Sequence, residues 1–387
     1  MAMENEHKRP NVLIVHNYYQ IPGGEDTVVA NEKKLLEAHG HKVTLYSRHN
    51  NEIKNMSLLR KMLLPFMTIY NPMTAKEIKR LINKEKIDIV HVHNTLNLVS
   101  PSVYYVAVKC KVPVIQTIHN YRLLCPGATF YRNGHICEDC VNKGLGCAIK
   151  HSCYRNSRIQ TLICVISTLI HRCTGIYRKI NYIALTEFGK EKIIQQKQIE
   201  AKHVYVKPNF VESRDNHSQN DGFIFVGRLD ELKGVKVLID AWKQMGSDAP
   251  LLTLCGTGPL EEWCKKEVEG LNIDFKGFVN HEDAIALISK SKALILPTLW
   301  YEGFPMTILE AYSVGTPVIC SDLGNAGSVV EEGITGWKFE PDNAKDLIKA
   351  VNKYKNISES VIRVYIEKYT AEENYRQLIE IYERAKV

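Results

Sequence analysis

The stretch NVLIVHNYYQIPGGEDTVVANEKKLLEAHGHKVTLY, Asn11 to Tyr46, holds the organisation of this 387-residue chain in miniature. Asn11 to His16 is an unbroken apolar run of strand length, the pattern of a strand covered on both faces. Gly23, Gly24 and Glu25 read as a loop. Thr27 to His39 has helical spacing, and Gly40 is its stop. Lys42 to Tyr46 is a second strand. Strand, helix, strand is the unit from which mostly parallel sheets with helices on both faces are built.

The rhythm continues outward. Lys86 to His93 and Val112 to His119 read as further strands with a helical segment between them. Residues 121–180 interrupt it with a cysteine-rich stretch and an apolar segment, RIQTLICVISTLIHRCTGIYRKI. Alternation resumes at Ile183. The polar segment 213–221 reads as a loop. A second series follows at Phe223–Val226, Leu251–Cys255, Ile273–Phe275, Ala293–Leu296 and Pro317–Cys320. The expected class is therefore α/β with two domains. One covers residues 1–202, carries the insertion 121–180 and takes in the C-terminal helix 371–387; the other covers 203–370.

In sheets of this kind ligands sit beyond the carboxyl ends of the strands. Gly23, His93 and His119 fall at or just after strand ends. In the second half, FVGRLDELKG places Arg228 and Lys233 after a strand, where two fixed cations can neutralise a diphosphate. LCGTGPLEEW places Gly256 and Gly258 in a tight loop, where a missing Cβ allows close approach. FKGFVN is a third such loop. LWYEGFPMTILEAYSVGTPVICS is a fourth, with Glu302 in the loop and Glu310 inside the helix that Pro305 opens and Gly315 ends. Free N–H groups near Phe304 to Thr307 suit a phosphate, and carboxylates accept from hydroxyls.

This ordered set resembles the retaining glycosyltransferases of family 4, with the GT-B architecture of two Rossmann-like domains facing each other across a cleft. The matching residues are Gly23-Gly24-Glu25, His119, VGRLDELKG, CGTGPL, GFV and the Glu-x7-Glu pair Glu302 and Glu310. The HNYRLLCPGATF stretch and the cysteine insertion resemble the bacterial polysaccharide-assembly members. The resemblance implies roles. Arg228 and Lys233 hold the diphosphate of a nucleotide sugar, most simply a UDP-sugar. Glu310 takes the ribose hydroxyls. Glu302 takes hydroxyls of the transferred sugar, beside the backbone of Gly303, Phe304, Pro305 and Met306. Val279 meets the base, in a pocket lined by Gly256 and Gly258. Gly24, next to Gly23, approaches the phosphates from the first domain. His119 touches the donor sugar. His91 and His93 are acceptor-side candidates. Where many relatives carry His-Asp, this chain has His119-Asn120. No protein nucleophile and no catalytic metal are implied, because arginine, lysine and a helix terminus stabilise the leaving diphosphate.

The acceptor expected from the resemblance is a glycan or a polyprenyl-linked glycan. Residues 1–190 carry 26 Lys and Arg against 13 Asp and Glu, whereas 191–387 carry 24 against 30. A basic first half suits an anionic partner such as a membrane surface. The segments 56–70 and 158–180 are apolar and edged with cations, as expected of a peripheral contact or of packed helices. The charged start and the lack of any run of membrane-spanning length place the chain in the cytoplasm, at the inner face of the membrane. Of the eleven cysteines, Cys137, Cys140, Cys147 and Cys153 have the spacing of a structural zinc site; unliganded buried thiols or a redox pair are the alternatives. Two rival functions remain at this point: a same-fold nucleotide-sugar epimerase, and a zinc-bearing nucleic-acid binder, which leaves Glu302 and Glu310 without a role.

Overall fold

The structure is a computed structural model that describes residues 9–20, 23–212, 214 and 222–386. The charged start at 1–8 lies outside them, as does the expected loop 213–221 apart from Arg214.

The first sheet contains β1 (Val12–Tyr18), β2 (Val43–His49), β3 (Ile89–Val92) and β4 (Val114–Thr117). A small antiparallel ribbon, β5 (Tyr131–Arg132) and β6 (His135–Ile136), lies in the insertion. β7 (Asn181–Ala184) and β8 (Val204–Val206) complete the sheet in the order β2-β1-β3-β4-β7-β8. The second sheet is built from β9 (Phe223–Val226), β10 (Leu252–Cys255), β11 (Ile273–Gly277), β12 (Ala293–Leu296), β13 (Val318–Ser321) and β14 (Gly336–Phe339), in the order β11-β10-β9-β12-β13-β14. Every pairing in both six-stranded sheets is parallel. The sequence reason is visible in β1: Val12, Leu13, Ile14 and Val15 are all fully buried, which requires helices on both faces.

Each sheet starts in the middle and runs outward in both directions. The order reverses between β1 and β3 in the first sheet and between β9 and β12 in the second. Such reversal points open crevices at the strand ends.

Two boundaries differ from the sequence reading. β8 pairs with β7, so the first sheet extends to Val206, past residue 202. The first helix spans Gly24–Ala38, so Gly24 and Glu25 belong to its first turn rather than to a loop. Gly23 is the cap, and its N–H donates to the Asp26 carboxylate at 3.0 Å. Acids in a first turn complement the helix dipole, which offsets the poor helix propensity of glycine. The C-terminal helix Ala371–Arg384 packs back on the first domain. Leu378, Ile381 and Tyr382 share a core with Val12, Ile14, Val29 and Leu36.

Candidate active site

Loops beyond the carboxyl ends of the two sheets meet at backbone distance. A Cβ on Gly303 would lie 1.8 Å from the His119 carbonyl oxygen, and one on Gly24 would lie 3.5 Å from Met306 Cγ. Residues placed in different domains by the sequence thus line one cleft.

In the second domain, Glu302 is buried and Lys233 reaches it, with Nζ 2.9 Å from both carboxylate oxygens. A cation expected at a diphosphate and an acid expected at a sugar are therefore direct partners. Arg228 is exposed and lies 3.3 Å from Asp230. Glu310 sits on the helix Met306–Ser313, mostly covered, 3.8 Å from His281; burial raises its carboxyl. The first bond of that helix runs from the Ile308 N–H to the Pro305 carbonyl, which leaves the Met306 and Thr307 N–H groups at its open end. Val279 borders a surface hollow with Phe278, Asn280 and Asp283, and Phe278 is strongly exposed.

Gly256 and Gly258 answer a different need from the one inferred. At Gly256, φ is +144° and a Cβ would fall 1.8 Å from the Gly227 carbonyl oxygen. At Gly258 it would fall 2.4 Å from the Leu229 carbonyl oxygen. The missing side chains let neighbouring backbone loops approach each other.

The Glu302 loop is seated by residues that sequence reasoning did not single out. Asn325 donates to the Glu302 carbonyl at 2.6 Å and to the Tyr121 hydroxyl at 3.0 Å, linking the domains. Tyr301 donates to Glu138 at 3.0 Å and packs its ring against Phe130 and Phe188. The insertion thus supports the acid loop from across the cleft. No local pattern marks these residues.

In the first domain the floor is made of histidines. His93 and His119 line a cavity with Asn94, Gln116, Asn120 and Arg122. His93 Nδ1 and His119 Nε2 are 2.9 Å apart. Burial pushes His93 down to about 4 and holds His119 well below the usual histidine range, so both rings are neutral at pH 7. His91 does not line the acceptor side. It is fully buried, with Nδ1 2.8 Å from the Tyr382 hydroxyl and Nε2 2.8 Å from Thr117 Oγ1. The alternation of a strand puts His91 and His93 on one face, but the C-terminal helix covers His91. Glu25 also comes to this edge. Asn94 donates to it at 3.0 Å, and burial pushes its carboxyl up to about 8.

Cys137, Cys140, Cys147 and Cys153 are half-buried, and the buried Cys125 lies beside Cys153 below the Gly127 turn. Burial first, then neighbouring Cys125, pushes the Cys140 thiol up to about 12. Among the described residues no three of the sulfurs lie within 4.8 Å of one another.

Two apolar helices flank the cavity on the outside. Leu58–Ile69 exposes Leu58, Leu59, Met62 and Phe66, and Arg158–Cys173 exposes Ile159, Leu162 and Leu169. They are joined where His171 Nε2 lies 3.1 Å from the Ile69 carbonyl. Among the described residues no helix is long and apolar enough to cross a membrane.

Two family descriptions match the chain: "Glycosyltransferase Family 4" over residues 22–136 and "Glycosyl transferases group 1" over residues 207–385. An uncharacterised 41.2 kDa protein of the cps region of Klebsiella pneumoniae is 21% identical over 359 residues, covering 88% of this chain and 89% of that one. A lipopolysaccharide 1,6-galactosyltransferase of Escherichia coli is 30% identical over 188 residues, covering 45% of this chain and 52% of its own. A protein of Anabaena, solved in complex with UDP, superposes with a TM-score of 0.66 at 17% identity, over 96% of this chain and 98% of that one.

Proposed function

Since this chain belongs to the family 4 glycosyltransferases of GT-B architecture and polysaccharide-assembly type, we propose that it transfers a sugar from a UDP-sugar, with retention, to a lipid-linked glycan. The observation that carries the reading is the meeting of Gly303 with His119, which sets the Lys233–Glu302 pair opposite the histidine floor. On binding, the diphosphate takes up Arg228 and shares Lys233 with Glu302, at the open end of the helix Met306–Ser313. Glu302 then accepts from hydroxyls of the transferred sugar, and Glu310 from the ribose.

Charge builds on the leaving diphosphate as the sugar bond breaks. Two fixed cations and a helix N-terminus would stabilise that charge in this reading, so turnover is proposed to need no added metal. The acceptor hydroxyl attacks from the face the diphosphate leaves, and a phosphate oxygen takes its proton. Zinc is proposed only as a structural ion in the insertion, and the sulfurs of Cys137, Cys140, Cys147 and Cys153 would have to draw closer than they stand here to hold it.

The exposed apolar faces of Leu58–Ile69 and Arg158–Cys173 are edged by exposed Arg60, Lys61, Arg155 and Arg158. This combination fits the inner surface of an anionic membrane, where a lipid-linked acceptor is held.

Calorimetry against a panel of nucleotide sugars, followed by transfer assays on a lipid-linked acceptor, tests the reading. Binding of one UDP-sugar and EDTA-resistant transfer is the expected result. Interconversion of the donor without transfer would favour the epimerase. Loss of turnover restored only by magnesium or manganese would overturn the metal-free route.

A further inference from the structure

Behind the histidine floor lies a carboxylate that the reading above leaves unused. Glu32 is 1% exposed, on the inner side of the helix Gly24–Ala38. One oxygen is 3.3 Å from Lys207 Nζ. The other is 2.9 Å from His91 Nδ1 and 3.4 Å from His93 Nε2. Lys207 also donates to Asn374 of the C-terminal helix at 2.9 Å. Burial alone would raise the Glu32 carboxyl, but His91 and Lys207 outweigh it and hold it well below the usual range. The group is an ion and can only accept.

A neutral imidazole carries one N–H and one lone pair. His93 Nε2 has no hydrogen-bond partner of good geometry, and the atom it faces is the Glu32 oxygen. A lone pair there would face a carboxylate, whereas an N–H is attracted to it even at 3.4 Å. His93 therefore carries its proton on Nε2 and offers a lone pair at Nδ1. That lone pair faces His119 Nε2 at 2.9 Å, so His119 must be the donor there. His119 is left with an acceptor at Nδ1, on the ring that lines the cavity. The three rings His91, His93 and His119 are stacked in sequence, with centroids 4.5 Å and 5.3 Å apart.

We propose that Glu32 is a positioning residue for the transfer: through His93 it fixes the tautomer of His119, so that Nδ1 of His119 accepts a hydrogen bond from a substrate hydroxyl. The inference rests on the glycosyltransferase reading only for the identity of that hydroxyl. Asn120, which follows His119, offers no carboxylate, and Glu32 reaches His119 only through His93.

Nitrogen-15 NMR of histidine-labelled protein at pH 6–8 reads the tautomers directly. His93 and His119 should both be neutral with the proton on Nε2. An Nδ1–H tautomer at His119, or a charged ring, would overturn the proposal whatever the enzyme transfers. Glu32→Gln removes the bias, because an amide can turn either face to His93. It should mix the His119 tautomers and lower kcat by ~10-fold or more, with UDP affinity within ~2-fold. Glu32→Asp, which keeps the charge, should restore part of kcat. If Glu32→Gln fails to fold because Lys207 loses its partner, the double variant Glu32→Gln, Lys207→Met carries the test. An unchanged tautomer and unchanged kcat in a folded variant would sink the relay. Absence of transfer by the wild type on every donor would instead sink the functional reading, and leave the NMR result standing.

Discussion

The reversal point of the first sheet, between β1 and β3, is bordered by Glu25, His93 and Asn94; that of the second, between β9 and β12, by Arg228, Lys233 and Glu302. The topology is the same. The electrostatics differ. At the first reversal point burial strips charge from the nearest side chains, since His93 and His119 are neutral and Glu25 holds its proton to about 8, while the ionised Glu32 lies behind them and Arg122 lines the same cavity. In the second, an ammonium and a carboxylate stay paired at the cleft. Sheet topology decides where a ligand can sit, while the desolvation of each side chain decides what it recognises. Neutral donors and acceptors suit hydroxyls; fixed charges suit a diphosphate.

The sharpest way to break this comparison is through the glycines that bring the loops together. Gly256→Ala forces a Cβ against the Gly227 carbonyl at a left-handed φ. It should cost ~3 kcal/mol or more of stability. Gly23→Ala, with open space around it, should leave the melting temperature within ~2 °C. Equal melting curves would show that the second-domain loops are not held by backbone approach.

The charged side should fail in donor binding. Lys233→Ala or Arg228→Ala removes a charge-assisted contact worth ~1.5–3 kcal/mol, so nucleotide-sugar affinity should fall ~10-fold or more. Lys233→Ala should be the worse of the two, because it leaves the buried Glu302 carboxylate unpaired, whereas Arg228 is exposed. Wild-type affinity in both folded variants would remove the diphosphate from this side.

Within that side, the two acids should separate. Glu310→Gln should weaken UDP and UDP-sugar alike. Glu302→Gln should leave UDP affinity within ~3-fold and lower turnover ~10-fold or more, since sugar contacts count most as the ring distorts. Matching losses of UDP binding by calorimetry would reduce the pair to a support for the loop.

The smallest expected effect lies in the first domain. The folded-state value of Glu25 is raised, so between about 4.5 and about 8 the folded chain binds more protons than the unfolded one. Its contribution to stability therefore falls as pH rises through that window. Glu25→Gln should match the wild type near pH 4.5 and gain on it by pH 8, by ~1 kcal/mol at a half-buried position. A constant difference between the two denaturation curves from pH 5 to pH 8 would mean that Glu25 is an ordinary ionised acid.

Much of this molecule was legible in advance because its signals are local. Alternating apolar runs and helical stretches sufficed for two parallel sheets, since a strand buried on both faces must be apolar at every position, as in Val12 to Val15. Arg228, Lys233 and Glu302 stood out because each sits in the loop that follows a strand, and Glu310 because it lies in the helix which that last loop opens. The start of the first helix was misplaced, because Gly23-Gly24-Glu25 reads as a turn by propensity and the first-turn acids outweigh that. The glycines of CGTGPL were read as room for a ligand, because sequence shows that a Cβ is missing but not which atom takes its place.

What the sequence alone determined is the architecture and the charged half of the cleft, where chemistry and spacing lie on single loops. Only the tertiary structure decided the histidine half. Glu32, His93, His119, Lys207 and Asn374 meet through contacts as much as 175 residues apart along the chain. His91 is turned into a core residue by Tyr382, 291 residues away. The Glu302 loop is seated by Asn325, and by Glu138 through Tyr301. Whether a histidine is charged, which nitrogen keeps its proton and whether it meets solvent all depend on desolvation and on partners, and both exist only once distant segments have packed.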